Sequence, residues 1–262
     1  MTSHPRRLPV TLPLTLAFSV IGAAAWMSAG HATSSREAPL TRRFTEAEIF
    51  VELNDTDDDL GLHASIDGEP WTRLEIEGPN ERKLLDLFSL GRLRNHAMTQ
   101  LAFESAEPPF DELDPAVFFR RFPEGRYEIE ALAQAGGTLE GTAVLSHVLA
   151  APPENVLVNG LNAAESCDAT PLPKVSAPVV ITWDRVTTSH PDVGKPGPVT
   201  ISRYQFFVER AGVKLSIDLP PTITEFRIPA AVTALGKDFK FEIIARTSTG
   251  NNTAIESCFL MQ

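Results

Sequence analysis

Apolar and polar residues alternate along most of this chain from residue 44 onward, and the alternation predicts strands. In residues 46–53 and 126–132 apolar side chains fall on every second position, which is the period of a strand with one buried face. Gly136-Gly137 separates two such runs and predicts a hairpin turn. Predicted strands of the first half cover residues 46–53, 61–67, 72–77, 83–90, 98–105, 126–134 and 138–148.

One short segment of the first half has a helical signature instead. Asp114 can cap a helix, Pro115 suits its first turn, and Pro123 ends it. Phe118 and Phe122 then share one helical face, which predicts a plug at one end of a β-sandwich.

The second half repeats the alternating pattern with turn signals between short runs. Its predicted strands fall near residues 155–158, 178–183, 201–209, 213–218, 223–228, 238–246 and 253–259. Many short strands separated by turns are typical of an all-β sandwich. The fold class is therefore all-β, with two consecutive β-sandwich domains.

The second half resembles a fibronectin type III module. Trp183 lies on one alternating run and Tyr204 on the next, and Phe239, Phe241 and Ile243 alternate near the end. The family usually has Tyr where this chain has Phe239, so the resemblance implies a corner that keeps its packing and loses one hydrogen bond. Such modules hold, space and bind, so the resemblance implies an interaction module.

The first half resembles an immunoglobulin-like domain of secreted bacterial proteins, because residues 123–127, Pro-Glu-Gly-Arg-Tyr, match the start of a late strand in that fold. Residues 150–153, Ala-Ala-Pro-Pro, have the composition of a hinge. We therefore predict an N-terminal β-sandwich domain at 44–150 and a fibronectin type III-like domain at 151–262.

Residues 1–32 have the pattern of a secretory signal peptide. Arg6 and Arg7 precede an uncharged stretch over residues 8–27, and small residues lead to Ala32, the predicted cleavage point. Cleavage after Ala25 is the alternative. A stretch of about 20 apolar residues could also stay as an uncleaved anchor, which is the one route to a membrane. Residues 33–43 are polar and predict a disordered lead-in, and the chain is expected to be secreted or periplasmic.

The cysteines Cys167 and Cys258 both fall in the second half. In an oxidising compartment two cysteines of one domain most simply pair, and the fibronectin resemblance places these two at the same end of the sandwich. We expect a disulfide. Two free thiols in a reducing compartment are the alternative, and they conflict with the signal peptide.

The formal net charge of −11 bears on the partner. Nucleic-acid binding needs a basic surface that neutralises phosphates, so the charge argues against this class of partner and against docking on anionic lipid. The expected partner is a protein or a polysaccharide at the cell envelope.

Asp55, Asp57 and Asp59 form the sharpest motif for chemistry. Their spacing is that of a Ca²⁺ loop, in which oxygens converge on one hard cation. The EF-hand pattern fails, because Gly61 comes one place late and Ile66 occupies the place of the last glutamate. The competing interpretation is an Asx-rich hairpin turn. Ca²⁺ is the one cofactor that the sequence suggests.

Other candidates for chemistry are weaker. Trp71, beside Pro70, is the best candidate for an exposed contact aromatic, with core burial as the alternative. Glu104 and Glu112 belong to an acidic stretch that could supply the paired carboxylates of a glycan hydrolase, although acids before a helix are commonly structural.

Three functions follow from these observations. The favoured one is an exported, non-catalytic protein that binds or spaces partners at the cell envelope or outside the cell. The alternatives are a Ca²⁺-dependent carbohydrate-binding module, resting on Asp55–Asp59 and Trp71, and a glycan-degrading enzyme.

Overall fold

The computed structural model describes residues 40–262, which are mostly strands joined by turns. The signal peptide predicted over residues 1–32 lies outside the described residues. The first half contains helices α1 (Gly91–His96) and α2 (Pro115–Arg121) and a 3-10 turn at Pro79–Glu81. Its strands are β1 (Thr41–Arg43), β2 (Glu46–Asn54), β3 (Asp59–Gly78), β4 (Arg82–Phe88), β5 (Met98–Glu104), β6 (Gly125–Ala133) and β7 (Thr138–Leu145).

The second half has one short helix, α3 (Ala230–Thr233), and strands of very different length. They are β8 (Leu157–Val158), β9 (Leu161–Asn162), β10 (Lys174–Val175), β11 (Val180–Thr182), β12 (Ile201–Arg210), β13 (Val213–Leu219), β14 (Glu225–Arg227), β15 (Asp238–Thr247) and β16 (Asn252–Met261). The alternation does not predict β9, β10 or α1, because such short elements contain too few residues to show a period. No helix within residues 40–262 is long and apolar enough to cross a membrane.

Strand β3 corrects the prediction of two separate strands at residues 61–67 and 72–77. It is one strand of 20 residues, with its pairing register shifted between Asp67 and Trp71. The first part pairs with β2 and β5, and the second part pairs with β4 and β6. A Cβ on Gly68 would lie 2.9 Å from the Phe44 ring, so this glycine serves close packing at a bend rather than a chain reversal.

Strand β1 corrects the predicted extent of the disordered lead-in. Residues 41–43 pair in parallel with β7, in the register Thr41↔Thr138, and the Phe44 N–H donates to the Glu140 carbonyl at 3.2 Å. The alternation does not reveal this strand, because its three residues gain order only from the partner strand. Residues 33–39 of the lead-in lie outside the described range.

The two halves share one sheet. Twelve strands follow the order β1-β7-β6-β3-β2-β16-β15-β12-β13, with β4 and β5 beside β3 and β10 beside β16. The junction is the parallel pairing of β2 with β16, in the register Glu52↔Asn252, Leu53↔Thr253 and Asn54↔Ala254. A second sheet of four strands, β14-β11-β8-β9, belongs to the second half.

Each half nevertheless has its own hydrophobic core. The first core extends from Ile49 to Leu149 in sequence and adds Val193, and the second extends from Ala150 to Phe259. The cores divide between Leu149 and Ala150, one residue before the predicted boundary between residues 150 and 151. The exact domain limits remain a prediction.

Each core contains a buried tyrosine whose hydroxyl bonds the backbone of a nearby segment. The Tyr127 hydroxyl donates to the Pro123 carbonyl at 3.0 Å, a bond from a late strand back to its preceding turn, as in immunoglobulin-like corners. The Tyr204 hydroxyl accepts the Val186 N–H at 2.8 Å. Phe239 is buried and stacks on Phe259, with ring centroids 5.2 Å apart, so the position keeps its packing without a hydroxyl.

Helix α2 forms as the sequence predicts. The Asp114 carboxylate accepts the Ala116 N–H at 2.7 Å, which satisfies one free donor of the first turn. Phe118 is buried, and its ring lies 4.9 Å from that of Phe122. The helix therefore closes one end of the first core.

Candidate functional site

The residues that join the two halves form the best-defined polar cluster of the described chain. We call this cluster the seam: Asn251, Asn252, Thr253 and Arg246, together with the paired ends of β2 and β16. Most of these side chains are buried, although they are polar or charged. Buried polar groups are tolerated only when they are hydrogen-bonded, and each of the four is.

Asn251 is the centre of the seam. It is 1% exposed. Its Oδ1 accepts the Val51 N–H at 3.0 Å, and its Nδ2 donates to the carbonyls of Ser146 (2.8 Å) and Val148 (3.1 Å). One side chain of the second half thus binds the backbone of β2 and of the segment after β7, which rigidly couples the two halves.

Arg246 extends the seam toward solvent. Its guanidinium lies 4.5 Å from the centre of the Phe50 ring and donates to Glu48 Oε2 at 2.5 Å and to Asn252 Oδ1 at 3.3 Å. Asn252 in turn donates to Glu52 Oε2 at 2.6 Å. The positive charge is paired and stacked on an aromatic ring at once, a combination that favours one fixed geometry.

The segment predicted as a hinge is part of the same structure. Ala150 is fully buried, and its carbonyl accepts the Thr253 hydroxyl at 2.9 Å. The Ala151 N–H donates to the Thr188 carbonyl at 2.9 Å. The hinge interpretation is wrong, because these hydrogen bonds to Thr253 and Thr188 hold the backbone of Ala150 and Ala151 in place.

A cleft of about 610 Å³ opens beside the seam between the two halves. Its walls combine the Phe50 ring and Val144 with Arg203, Arg246 and Thr249. The Ser202 and Thr247 hydroxyls on this wall already donate to backbone carbonyls.

The acids predicted to bind Ca²⁺ lie in the β2–β3 hairpin, which has the Asx-turn structure of the competing interpretation. Asn54 Oδ1 accepts the Thr56 N–H at 3.1 Å, and Asn54 Nδ2 donates to Asp57 Oδ2 at 3.0 Å. Asp58 adopts a positive φ of 52°. Side-chain bonds of this kind stabilise a tight turn without a metal ion.

Asp55 contacts the second half of the chain. Its Oδ1 lies 2.7 Å from His190 Nε2. His190 Nδ1 accepts the N–H groups of Asp192 (3.1 Å) and Val193 (2.9 Å), so the ring hydrogen resides on Nε2 and is donated to Asp55. This contact adds a second bridge between the halves.

The three carboxylates therefore do not converge on one point. Within residues 40–262, no group of three or more His, Cys, Asp or Glu side chains has the arrangement of a metal site. Asp55 binds His190, Asp57 binds Asn54, and Asp59 lies at the start of β3. The calcium prediction has no ligand set in this structure to support it.

Asp59 belongs to an acidic face that crosses the common sheet. Burial raises its pKa to about 6, helped by repulsion from Glu107, Asp57, Glu256 and Glu52. Carboxylates close to one another resist ionising together, so Asp59 holds its proton more tightly than an isolated aspartate does.

Glu242, on β15, continues the acidic face into the second half. Burial raises its pKa to about 7, and Glu52 and Glu256 add to the rise, while Lys214 and Lys240 oppose it. Lys240 pairs with Glu256 at 2.5 Å. Acids with raised pKa values are found at catalytic sites, but structural charge networks shift pKa values in the same way.

Glu104 and Glu112, the candidates for glycan hydrolysis, occupy different surroundings. Glu104 ends β5, where burial and neighbouring Glu107 raise its pKa. Glu107 itself binds His63, with Oε1 2.9 Å from Nε2. Glu112 is exposed, and its N–H donates to the Pro109 carbonyl at 2.9 Å in the turn before α2. This bond is made by the backbone, and the Glu112 side chain itself is exposed.

The structure corrects the prediction that Trp71 is an exposed contact aromatic. Its side chain is fully buried in the first core. Pro70 lies in the bend of β3 rather than in a surface turn, so the indole points inward from a central strand. A binding role through surface contact is therefore wrong for this residue.

Cys167 and Cys258 form the disulfide that the sequence predicts, with Cα atoms 4.9 Å apart and a sequence separation of 91. The bond ties the long connection between β9 and β10 to β16. The Ser257 hydroxyl reinforces this attachment by donating to the Ala164 carbonyl at 2.8 Å.

Sequence reasoning missed the seam. Asn251-Asn252-Thr253 has the form of a glycosylation sequon, and Arg246 follows an apolar run, but neither signal predicts a junction between halves. The nearest usable signal is the pair of asparagines between the strands predicted at 238–246 and 253–259.

No protein-family model matches the sequence, and no curated protein matches it. Among solved structures, a segment of two fibronectin type III domains from chicken tenascin matches with 12% identity and a TM-score of 0.28, over 83% of this chain and 98% of that one. The tetra-tandem repeat in the extending region of a large adhesion protein matches with 12% identity and a TM-score of 0.26, over 82% and 49%.

The human OSCAR ligand-binding domain matches with 11% identity and a TM-score of 0.25, over 81% of this chain and 97% of that one. These matches are tandem fibronectin type III and immunoglobulin-like sandwiches, and the present structure resembles them in being mostly β with few short helices. Superposition at these scores is poor, so the function rests on the geometry of the chain itself.

Proposed function

We propose that this chain is an exported, non-catalytic binding and spacing protein whose two β-sandwich halves act as one rigid body. The observation that carries the proposal is the seam, in which Asn251 bonds both halves from a fully buried position. A spacer must transmit position from one end to the other, and a fixed junction does so without the entropy of a flexible linker.

Three further contacts support rigid coupling. The backbone of β16 pairs with β2. The Thr56 hydroxyl accepts the Glu256 N–H at 2.8 Å, and Lys195 forms an ion pair with Glu124. Relative motion is the usual expectation for two domains with a small interface, and these bonds across several segments oppose it.

The disulfide supports export. Disulfides persist in oxidising compartments and are rare in the cytosol. We propose cleavage after Ala32, a periplasmic or secreted mature chain, and a partner that is a protein or a polysaccharide of the envelope. Mass analysis of the exported chain tests the cleavage, since a mature N-terminus at Thr33 is expected and a chain that retains residues 1–32 would contradict it.

Small-angle X-ray scattering of the exported chain tests the rigid body. We expect the wild-type curve to fit one conformation, and Asn251→Ala with Arg246→Ala to require a broader ensemble while circular dichroism stays β-rich. Asn162→Ala, an exposed asparagine on β9, is the matched control. A wild-type curve that requires independent motion of the two halves would overturn the proposal.

Limited proteolysis gives a second measure of the same property. Residues 150–153 should resist cleavage in the wild type, because their backbone is buried or bonded, and become susceptible in the seam variant.

A further inference from the structure

Strand β13 forms one open edge of the common sheet. It bonds β12 on one side, and no other strand of residues 40–262 pairs with it. Ala211 and Gly212 form a two-residue turn with positive φ values of 49° and 79°, which closes the pair Arg210↔Val213. An open edge presents a row of unpaired backbone groups to any other chain.

The turn determines which residues face that edge. In a two-residue hairpin the closing pair exchanges hydrogen bonds, and bonded pairs then alternate along the strands. Val213, Leu215, Ile217 and Leu219 therefore bond β12. Lys214, Ser216 and Asp218 direct their N–H and C=O groups outward.

The sequence of β13, Val-Lys-Leu-Ser-Ile-Asp-Leu, is complementary to itself when reversed about Ser216. Antiparallel pairing of two copies about this residue places Lys214 opposite Asp218. The same register places Leu215 opposite Ile217 and Val213 opposite Leu219. Each charge faces its opposite and each apolar residue faces an apolar one, the combination that stabilises cross-strand pairs.

We propose that a second copy of this chain binds along β13, antiparallel and with a two-fold axis at Ser216, so that two common sheets join into one. Ser216 faces the edge, so the central pair exchanges two backbone hydrogen bonds. The two Lys214–Asp218 pairs bring the total to about six. The interface is isologous and closes at a dimer, a property separate from the binding and spacing role.

Existing contacts leave both charges available. The Lys214 ammonium lies 4.2 Å from the Phe207 ring centre, and Asp218 lies 3.4 Å from Arg203 Nε with half of its side chain exposed. The opposite charges of Lys214 and Asp218 cancel within the strand. The edge is thus locally neutral on a chain of net charge −11, where a more acidic surface would repel its copy.

Two other open edges, β4 and β5 beside β3, lack this complementarity. Pairing β4 with itself about Leu85 would set Lys83 against Leu87 and Arg82 against Phe88. Pairing β5 about Leu101 would set Met98 against Glu104. Charges would then face apolar side chains, which favours β13 over β4 and β5 as the self-associating edge.

Sedimentation equilibrium of the exported chain tests the proposal. An edge contact buries less than the roughly 1,600 Å² of a standard interface, so the dimer is weak and is sought from about 5 to about 500 µM. We expect Lys214→Asp and Asp218→Lys each to raise the dimer Kd about tenfold or more, because each sets like charges together twice. Lys237→Asp, at an exposed lysine off the edge, is the control with equal charge change.

Charge exchange separates specific pairing from general repulsion. An equimolar mixture of Lys214→Asp and Asp218→Lys chains should restore dimers, and so should the double variant, because opposite charges face again in both. A monomeric wild type over the whole range would overturn the proposal, as would variants that weaken the dimer without recovery on mixing.

A cross-link reports the register directly. Residues in a hydrogen-bonded antiparallel pair have Cα atoms about 5.5 Å apart, within disulfide reach. Ser216→Cys should therefore form a covalent dimer under oxidation, while Lys214→Cys should not, because two copies of residue 214 lie about 13 Å apart in this register. Equal cross-linking of the two variants would contradict the register centred on Ser216.

Discussion

His190 and Asp55 meet across the junction of the two halves, with the histidine Nε2 2.7 Å from the carboxylate Oδ1. The histidine side chain is 6% exposed, and both of its nitrogens are bonded. An acid that resembles a metal ligand in sequence is therefore the hydrogen-bond acceptor of a structural histidine.

Removing either partner should destabilise the fold. Asp55→Ala leaves the buried Nε2–H without an acceptor, and we expect a loss of about 1–3 kcal/mol in the free energy of unfolding. His190→Ala should lose a similar amount, and the double variant should lose less than the sum. Urea denaturation measures the cycle, with Asp111→Ala, an exposed acid, as the control. Strict additivity would show that the contact carries no energy.

Calcium should leave thermal stability unchanged. A ligand that binds the native state raises the melting temperature in proportion to its occupancy, and the hairpin acids are engaged with His190 and Asn54 instead of converging. Scanning calorimetry in excess Ca²⁺ and in EDTA should give the same midpoint. A rise of several degrees in Ca²⁺ that Asp57→Asn abolishes would establish a metal site in the hairpin.

Asn251→Ala should be among the most damaging polar substitutions in the chain. It removes three hydrogen bonds and leaves the Val51 N–H and two carbonyls unpaired at a buried position. We expect a loss of about 2–4 kcal/mol in urea denaturation. The exposed control Asn162→Ala should change stability by less than about 0.5 kcal/mol. Similar effects of the two substitutions would contradict the role of the seam.

Glu242 should make the fold less stable as pH rises toward neutrality. Its pKa of about 7 lies above its usual value of 4.5, so the native state retains a proton that the unfolded state has released. Stability is thus greatest below the unfolded pKa and declines as pH rises from about 4.5 to about 7.

Glu242→Gln should flatten this decline and raise stability at pH 8 by about 2 kcal/mol. Urea denaturation at several pH values measures the effect. Glu209→Gln, an exposed acid on the adjacent strand β12, should leave the slope unchanged. A Glu242→Gln chain with the wild-type slope would show that Glu242 is not the titrating group.

Replacing both cysteines with serine should lower stability by about 3–5 kcal/mol. The bond spans 91 residues, so its removal restores a large freedom to the unfolded chain in the loop-entropy description. Reduction of the wild type should have the same effect in urea denaturation. Unchanged stability after reduction would mean that the long connection is held by its other contacts alone.

The sequence by itself determined the all-β class, most strand positions, the cap of α2 and the pairing of Cys167 with Cys258. These features depend on local information: a period of two along a strand, a capping acid before a proline, and two cysteines within one domain. The hairpin at Gly136-Gly137 is of the same kind, because two positive φ values are a property of the residues themselves.

The tertiary structure alone decided how the halves join. Asn251 reaches Val51 over 200 positions of sequence, and nothing local marks such a partner. The same reason explains the errors at Trp71, at the expected hinge and at the predicted break between residues 67 and 72, since burial and pairing depend on which strands lie beside a segment. Local patterns report the conformation of a strand, while its neighbours decide whether its polar residues bind a ligand, a solvent molecule or the other half of the protein.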